Sequence, residues 1–163
     1  MNWDAIGSVA EVAGAIGVVA SLVYLATQIR HSAKTAEYST MRELFTAAGT
    51  TAIAMAEEPN REIVMKGLTG YRNLGGAEKF VFDSLMAAMM NIVESSIASS
   101  NVELLTDEAV ENWGCYLRPR FFPYQGFRDW WDDSKGQVVL EFRTWIDSEL
   151  SKSDPKKDFW NIK

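Results

Sequence analysis

The side chains able to do chemistry in this chain are few and widely separated. There is one histidine, His31, and one cysteine, Cys115, among 163 residues. A single cysteine rules out a disulfide within the chain and a cysteine-based zinc site. A single histidine excludes a di-iron bundle built from paired Glu-x-x-His helices. A Ser-His-Asp relay would have to use His31, which stands at the end of an apolar run and is poorly placed for it. No glycine-rich phosphate loop, nucleophile elbow or metal-ligand spacing occurs. The net charge is −6, so the chain lacks the positive field that nucleic-acid binding requires. No cofactor, metal or nucleic acid is expected, and no catalytic residue stands out.

Two features remain as candidate sites. The first is "LRPRFFPYQGFRDWW", which sets Arg118, Arg120 and Arg128 among rings that include Trp130 and Trp131. Arginine forks grip phosphate and carboxylate, and Trp and Arg dominate partner-binding anchors. The favoured alternative is that these rings form a domain core and that Arg128 pairs with a nearby acid such as Asp132. In the same way, Met86, Met89 and Met90 suit an adaptable groove, but a methionine-filled core is the stronger reading. Glu94 lies among apolar residues and is expected to pair with an arginine.

The second feature is "AEVAGAIGVVASLVYLATQIR", Ala10 to Arg30. From Ala5 to Ile29 the only charge is Glu11, and about twenty residues cross a bilayer core. A soluble core helix should carry a polar face, and only Ser21, Thr27 and Gln28 interrupt the run from Val12. A cleaved signal needs a basic start, which "MNWDAIGS" lacks. The segment therefore reads as a transmembrane helix. All 16 Lys and Arg stand at Arg30 or beyond. Arg30 and Lys34 then anchor a cytoplasmic side, Trp3 marks the outer interface, and the N-terminus lies outside. No second stretch looks long and apolar enough to span.

Within this helix Gly7, Glu11, Gly14, Gly17, Ser21 and Gln28 gather toward one side, opposite Val12, Ile16, Val19, Val23 and Ile29. Small residues let helix backbones approach closely in lipid, so this side is an expected association face. Glu11 sits at the headgroup boundary if the span begins at Ala10. It lies about 9 Å deep if the span begins at Ala5, where an ion-handling role would follow.

Beyond Arg30 the sequence is all-helical in pattern. Tyr38, Met41, Phe45, Ala48, Ala52 and Met55 make an amphipathic stripe that ends at Pro59, with Asn60 able to cap the next helix. A short helix "NREIVMKGLTGY" stops at glycines, and "NLGG" is a turn. A long helix from "AEKF" turns Phe82, Met86, Met89, Val93 and Ile97 inward, widened by Val81, Leu85 and Ile92. Thr106 begins another helix as its N-cap, with Leu105 stapling to Val110. "GFRDWWDDSKG" is a short helix or turn, and the final helix turns Val139, Phe142, Ile146 and Leu150 inward. The expected organisation is a transmembrane anchor over residues 1–30, a cytoplasmic bundle of about four to six helices over 31–151, and a polar tail over 152–163, with Phe159 and Trp160 able to anchor it.

Four strings resemble a family of uncharacterised bacterial membrane proteins: "SLVYLATQIR", "AEEPNREIVMKGL", "AEKFVF", and "FRDWW" followed by "EFRTWID". The resemblance covers nearly all of the chain and implies an N-terminal span, an all-helical cytoplasmic domain and a membrane address. It carries no activity. The leading expectation is a non-enzymatic, single-pass protein in contact with membrane lipid. It assembles through its span with itself or as an accessory subunit with another membrane protein. The alternatives are an oligomeric pore lined by the small face and a membrane-anchored enzyme or ligand-binding domain using the arginine–aromatic patch.

Overall fold

The computed structural model describes residues 3–102, 105–154 and 160. Among them are six α-helices, two short 3-10 turns and no strand. The helices are α1 (Trp3–Ala56), α2 (Asn60–Gly70), α3 (Gly76–Asn101), α4 (Asp107–Arg120), α5 (Gln125–Ser134) and α6 (Leu140–Lys152). By internal contacts the chain divides into Met1–Ser39 and Thr40–Lys163. The all-α class and the helical bundle expected from the apolar periodicity are present.

Local chemistry accounts for most helix ends. Pro59 lacks the N–H needed to extend α1. Asn60 does not cap α2 with its side chain; its amide instead donates to the Ala54 carbonyl at 2.9 Å, satisfying an orphan group in the last turn of α1. Glu78 reaches back to accept the Gly75 N–H at 3.1 Å, which fixes the start of α3. Thr106 caps α4 as its sequence position predicts, accepting from the Ala109 N–H at 3.3 Å. Asp107 and Glu108 follow, where the helix dipole favours acids. The start of α6 is secured from a distance. The half-buried Glu94 of α3 accepts the Val139 N–H at 3.1 Å. Glu94 thus serves as a cap and not as the arginine partner expected of it, and Val139 stands at the helix start, 60% exposed, outside the inward row assigned to it.

The core of residues 40–163 is wrapped around α3. Phe82, Met86, Met89, Met90, Val93 and Ile97 are all buried on it. They pack with Val64 and Leu68 of α2, Leu117 of α4, Phe127, Trp130 and Trp131 of α5, and Phe142 and Ile146 of α6. The methionines are core, and so are most of the rings. α3 is also long and apolar enough to pass for a span, contrary to the expectation that no second stretch would be. One face of it is consumed by the bundle, which is what a core helix does.

Two glycines set how closely α2 is approached, Gly126 by α5 and Gly67 by the Phe82 ring of α3. A Cβ on Gly126 would stand 1.8 Å from the Gly67 carbonyl oxygen and 2.6 Å from that of Leu68. A Cβ on Gly67 would stand 2.1 Å from the Phe82 ring. Neither contact has room for a methyl group. Gly126→Ala should therefore force the helices apart and destabilise the bundle by at least about 1–3 kcal/mol, read as a lowered urea midpoint. The same change at Gly136, where a Cβ meets nothing within 4 Å, should leave that midpoint nearly unmoved.

Candidate functional site

The arginine–aromatic patch is drawn together by the fold, but its polar atoms are turned on the chain itself. The Trp130 indole donates to Asp83 at 2.6 Å and the Trp131 indole to Asp147 at 2.8 Å, tying α5 to α3 and α6. Arg128 does not pair with Asp132. It donates to the Phe122 carbonyl at 2.9 Å, to Ser153 Oγ at 2.6 Å and to the Leu150 carbonyl at 3.4 Å. That places a cation at the carbonyl end of α6. Arg120 lies over the Tyr116 ring at 4.3 Å. Trp160 stacks on Tyr124 at 6.0 Å and meets Phe121 edge-on at 5.4 Å, an anchor of the kind its sequence position suggests. Phe159 lies outside the described residues.

Arg118 belongs to the most deeply set charged group. It bonds to Glu149, whose carboxylate is 1% exposed, and to Glu111 at the surface at 2.7 Å. Lys152 completes the set on the other Glu149 oxygen. Gly114 makes the space, since a Cβ there would lie 2.5 Å from Glu149 Oε2. Burial by itself would raise the Glu149 pKa. Donation from Lys152 and Arg118 outweighs it and holds the carboxyl below its ordinary value of 4.5.

Residues 11–30 present a different surface. Every one is exposed. Val12, Ile16, Val19 and Val23 run along one side, and Val18, Leu22, Leu25 and Ile29 along the adjoining flank, from 54% exposed at Leu25 to 63% at Ile16. Gly14 and Gly17 have nothing within 4 Å of a Cβ added to them, so no contact within the chain requires their smallness. Ser21 donates to the Gly17 carbonyl at 2.8 Å. Glu11, Gln28, Arg30 and Lys34 are exposed as well, and so is Gly7. The side chain of Trp3 lies outside what the structure describes.

A cavity of about 440 Å³ opens where the last third of α1 faces α3 and α4. Met41, Leu44, Ala48 and Ala52 of α1 form one wall. Met89 and Ser96 of α3, with Trp113 and Tyr116 of α4, form the other. No charged residue lines it among the described residues. An adjoining cavity of about 350 Å³, which Arg61 also lines, shares Ala52, Met89 and Tyr116 with it. The sequence stripe on α1 captured part of this wall, since Met41, Ala48 and Ala52 are half-buried and Met55 is buried. It fails at Tyr38, which is 70% exposed; Phe45, though 64% exposed, lines the cavity, its ring centroid 6.5 Å from that of Trp113. The legible signal for a cavity was the run of small residues Ala48, Gly49 and Ala52 on a helix otherwise facing large side chains. Small against large leaves volume unfilled only when the two helices are held at a set distance.

Comparison of the chain with protein-family models, with curated proteins and with solved structures finds no match. Among the described residues no cluster of three or more His, Cys, Asp or Glu is arranged to hold a metal ion.

The Glu149 group has a direct thermodynamic signature. A carboxyl with a depressed folded-state pKa contributes stability that is present above its unfolded value, near 4.5, and is lost as the pH falls through the folded value. Urea midpoints should therefore fall more steeply below pH 4.5 in the native chain than in Glu149→Gln. Arg118→Met at neutral pH leaves the buried carboxylate with Lys152 alone and should cost about 3–5 kcal/mol.

Proposed function

We propose that this chain is a single-pass membrane protein that works by assembly rather than catalysis, with α1 as the spanning and associating element. The observation that carries the reading is the exposure of residues 11–30: aliphatic side chains run along two adjoining sides of the helix and no described element covers them. An apolar surface of this extent needs lipid or a partner helix. The backbone of α1 is paired within the helix, as a bilayer demands. Ser21 returns its hydroxyl hydrogen to the Gly17 carbonyl, which suits lipid too.

Gly14 and Gly17 support the assembly part of the reading. Each glycine in a helix interior is worth roughly 1 kcal/mol less than alanine. Gly67, Gly114 and Gly126 are needed by contacts inside the bundle, whereas Gly14 and Gly17 answer to none. Close approach of a second helix, from another copy or from another membrane protein, is the use that lipid offers for them. The charge asymmetry favours an orientation with the N-terminus outside and residues 40–163 in the cytoplasm. The resemblance of "SLVYLATQIR" and the strings after it to a bacterial membrane family points the same way.

The reading predicts that carbonate washing leaves the protein in the membrane pellet and that a cysteine placed at Ser8 is labelled only from the outer side. Gly14→Leu with Gly17→Leu should reduce crosslinked oligomer in membranes at least severalfold while insertion is retained. Unchanged crosslinking in the inserted double variant would remove the small face from the contact. Release by carbonate would remove the span itself.

A further inference from the structure

The cavity between the last third of α1 and helices α3 and α4 has a property that packing does not account for. Ser96 is 1% exposed, lines the cavity, and its hydroxyl has no hydrogen-bond partner among the described residues. Other serines on the same helix follow the usual course: Ser84 donates to the Phe80 carbonyl and Ser99 to the Ser95 carbonyl, each at 2.8 Å. Ser96 has the corresponding carbonyl four residues back and does not use it. A buried hydroxyl left unmet is costly, and buried polar groups are as a rule paired. The cavity supplies the missing partner only if something polar enters it.

The rest of the lining defines that entrant. At about 440 Å³ the space is of the size that small-molecule sites occupy, roughly 300–1,000 Å³. Met41, Leu44, Ala48, Leu105 and Trp113 offer it aliphatic and aromatic surface. Among the described residues that line it there is no Lys, Arg or His to neutralise an anion, and no Asp or Glu to meet a cation. A charged head buried there would be desolvated without compensation. A saturated hydrocarbon would fill the volume but leave Ser96 as it is. An uncharged amphiphile meets both requirements. The geometry points to a binding site for a neutral, acyl-chain-like molecule that carries one alcohol, ester or amide group, with the chain against α1 and Trp113 and the polar group bonded to Ser96. This inference is independent of whether α1 spans a membrane, because every lining residue belongs to residues 40–163.

The test uses the full chain reconstituted in phosphatidylcholine vesicles with a diazirine-bearing analogue of dodecanol, followed by illumination and mapping of labelled peptides. Label is expected on peptides that carry Leu44, Leu105 or Trp113, and dodecanol should compete for it better than dodecanoate by at least about tenfold. Ala48→Trp fills the space and should lower that label at least severalfold. Ser96→Ala should weaken dodecanol competition roughly fivefold, the size of one neutral hydrogen bond. Since it removes an unmet hydroxyl, Ser96→Ala should leave the thermal midpoint of the protein without additive unchanged or raised, so it reports on binding even where the tryptophan variant folds poorly. Label confined to residues 11–30, or cavity label that folded Ala48→Trp leaves unchanged, overturns the site. Equal competition by dodecanol and dodecanoate, or unaltered competition in Ser96→Ala, overturns the neutral ligand and its bond to Ser96.

Discussion

The distance between α2 and α5 is the constraint on which the bundle depends. Gly126 lies on the backbone of Gly67 and Leu68 so closely that α5 has no space there for a single added carbon. That approach lets α5 lower Phe127, Trp130 and Trp131 onto the face of α3, where Phe82 occupies the room left by Gly67. Large rings and absent side chains are therefore two halves of one arrangement. The aromatic density of the last third of the chain is compatible with a compact core because the glycines beside it yield the volume.

Polar groups at the edge of this core fix its rotation. Each tryptophan indole has one N–H to satisfy, and Asp83 and Asp147 sit on different helices to receive the two from α5. Arg128 adds a third tie by bonding backbone at the end of α6, and Glu94 adds a fourth at its start. Glu149 is the most demanding member. Its burial is tolerated because Arg118 and Lys152 both reach it and because Gly114 leaves it a place. These bonds direct more than they drive; the apolar area on α3 supplies the main stabilisation.

The same physics gives opposite results at the two ends of α1. Along residues 11–30 Gly14 and Gly17 have nothing within 4 Å of an added Cβ, and the large residues are exposed. Along residues 41–52 the small residues face a wall of large ones, and the outcome is a cavity with an unmet hydroxyl in it. In both places the helix carries less side-chain volume than its surroundings invite. Empty volume against apolar surface is where lipid, ligand or another helix gains most from binding.

Much of the architecture is a local property and could be read from the residues in order. The apolar period on Phe82, Met86, Met89, Val93 and Ile97, the Thr106 cap, the halt at Pro59 and the uninterrupted run before Arg30 each depend on neighbours within a few positions. The partners were not legible in this way. Spacing gives Arg128 an acid four residues away, yet it takes the carbonyls of Phe122 and Leu150; composition gives Glu94 an arginine, yet it takes a backbone N–H; the stripe on α1 includes Tyr38, which stands in the open. The unmet Ser96 was invisible for the same reason, and the small run Ala48, Gly49 and Ala52 hints at the cavity without fixing the helix separation that opens it. A sequence determines which face of each helix is apolar, because that follows from 3.6 residues per turn. Only the tertiary structure decides how far each helix is rotated and how closely it approaches, and hydrogen bonds and cavities depend on those separations to within an ångström.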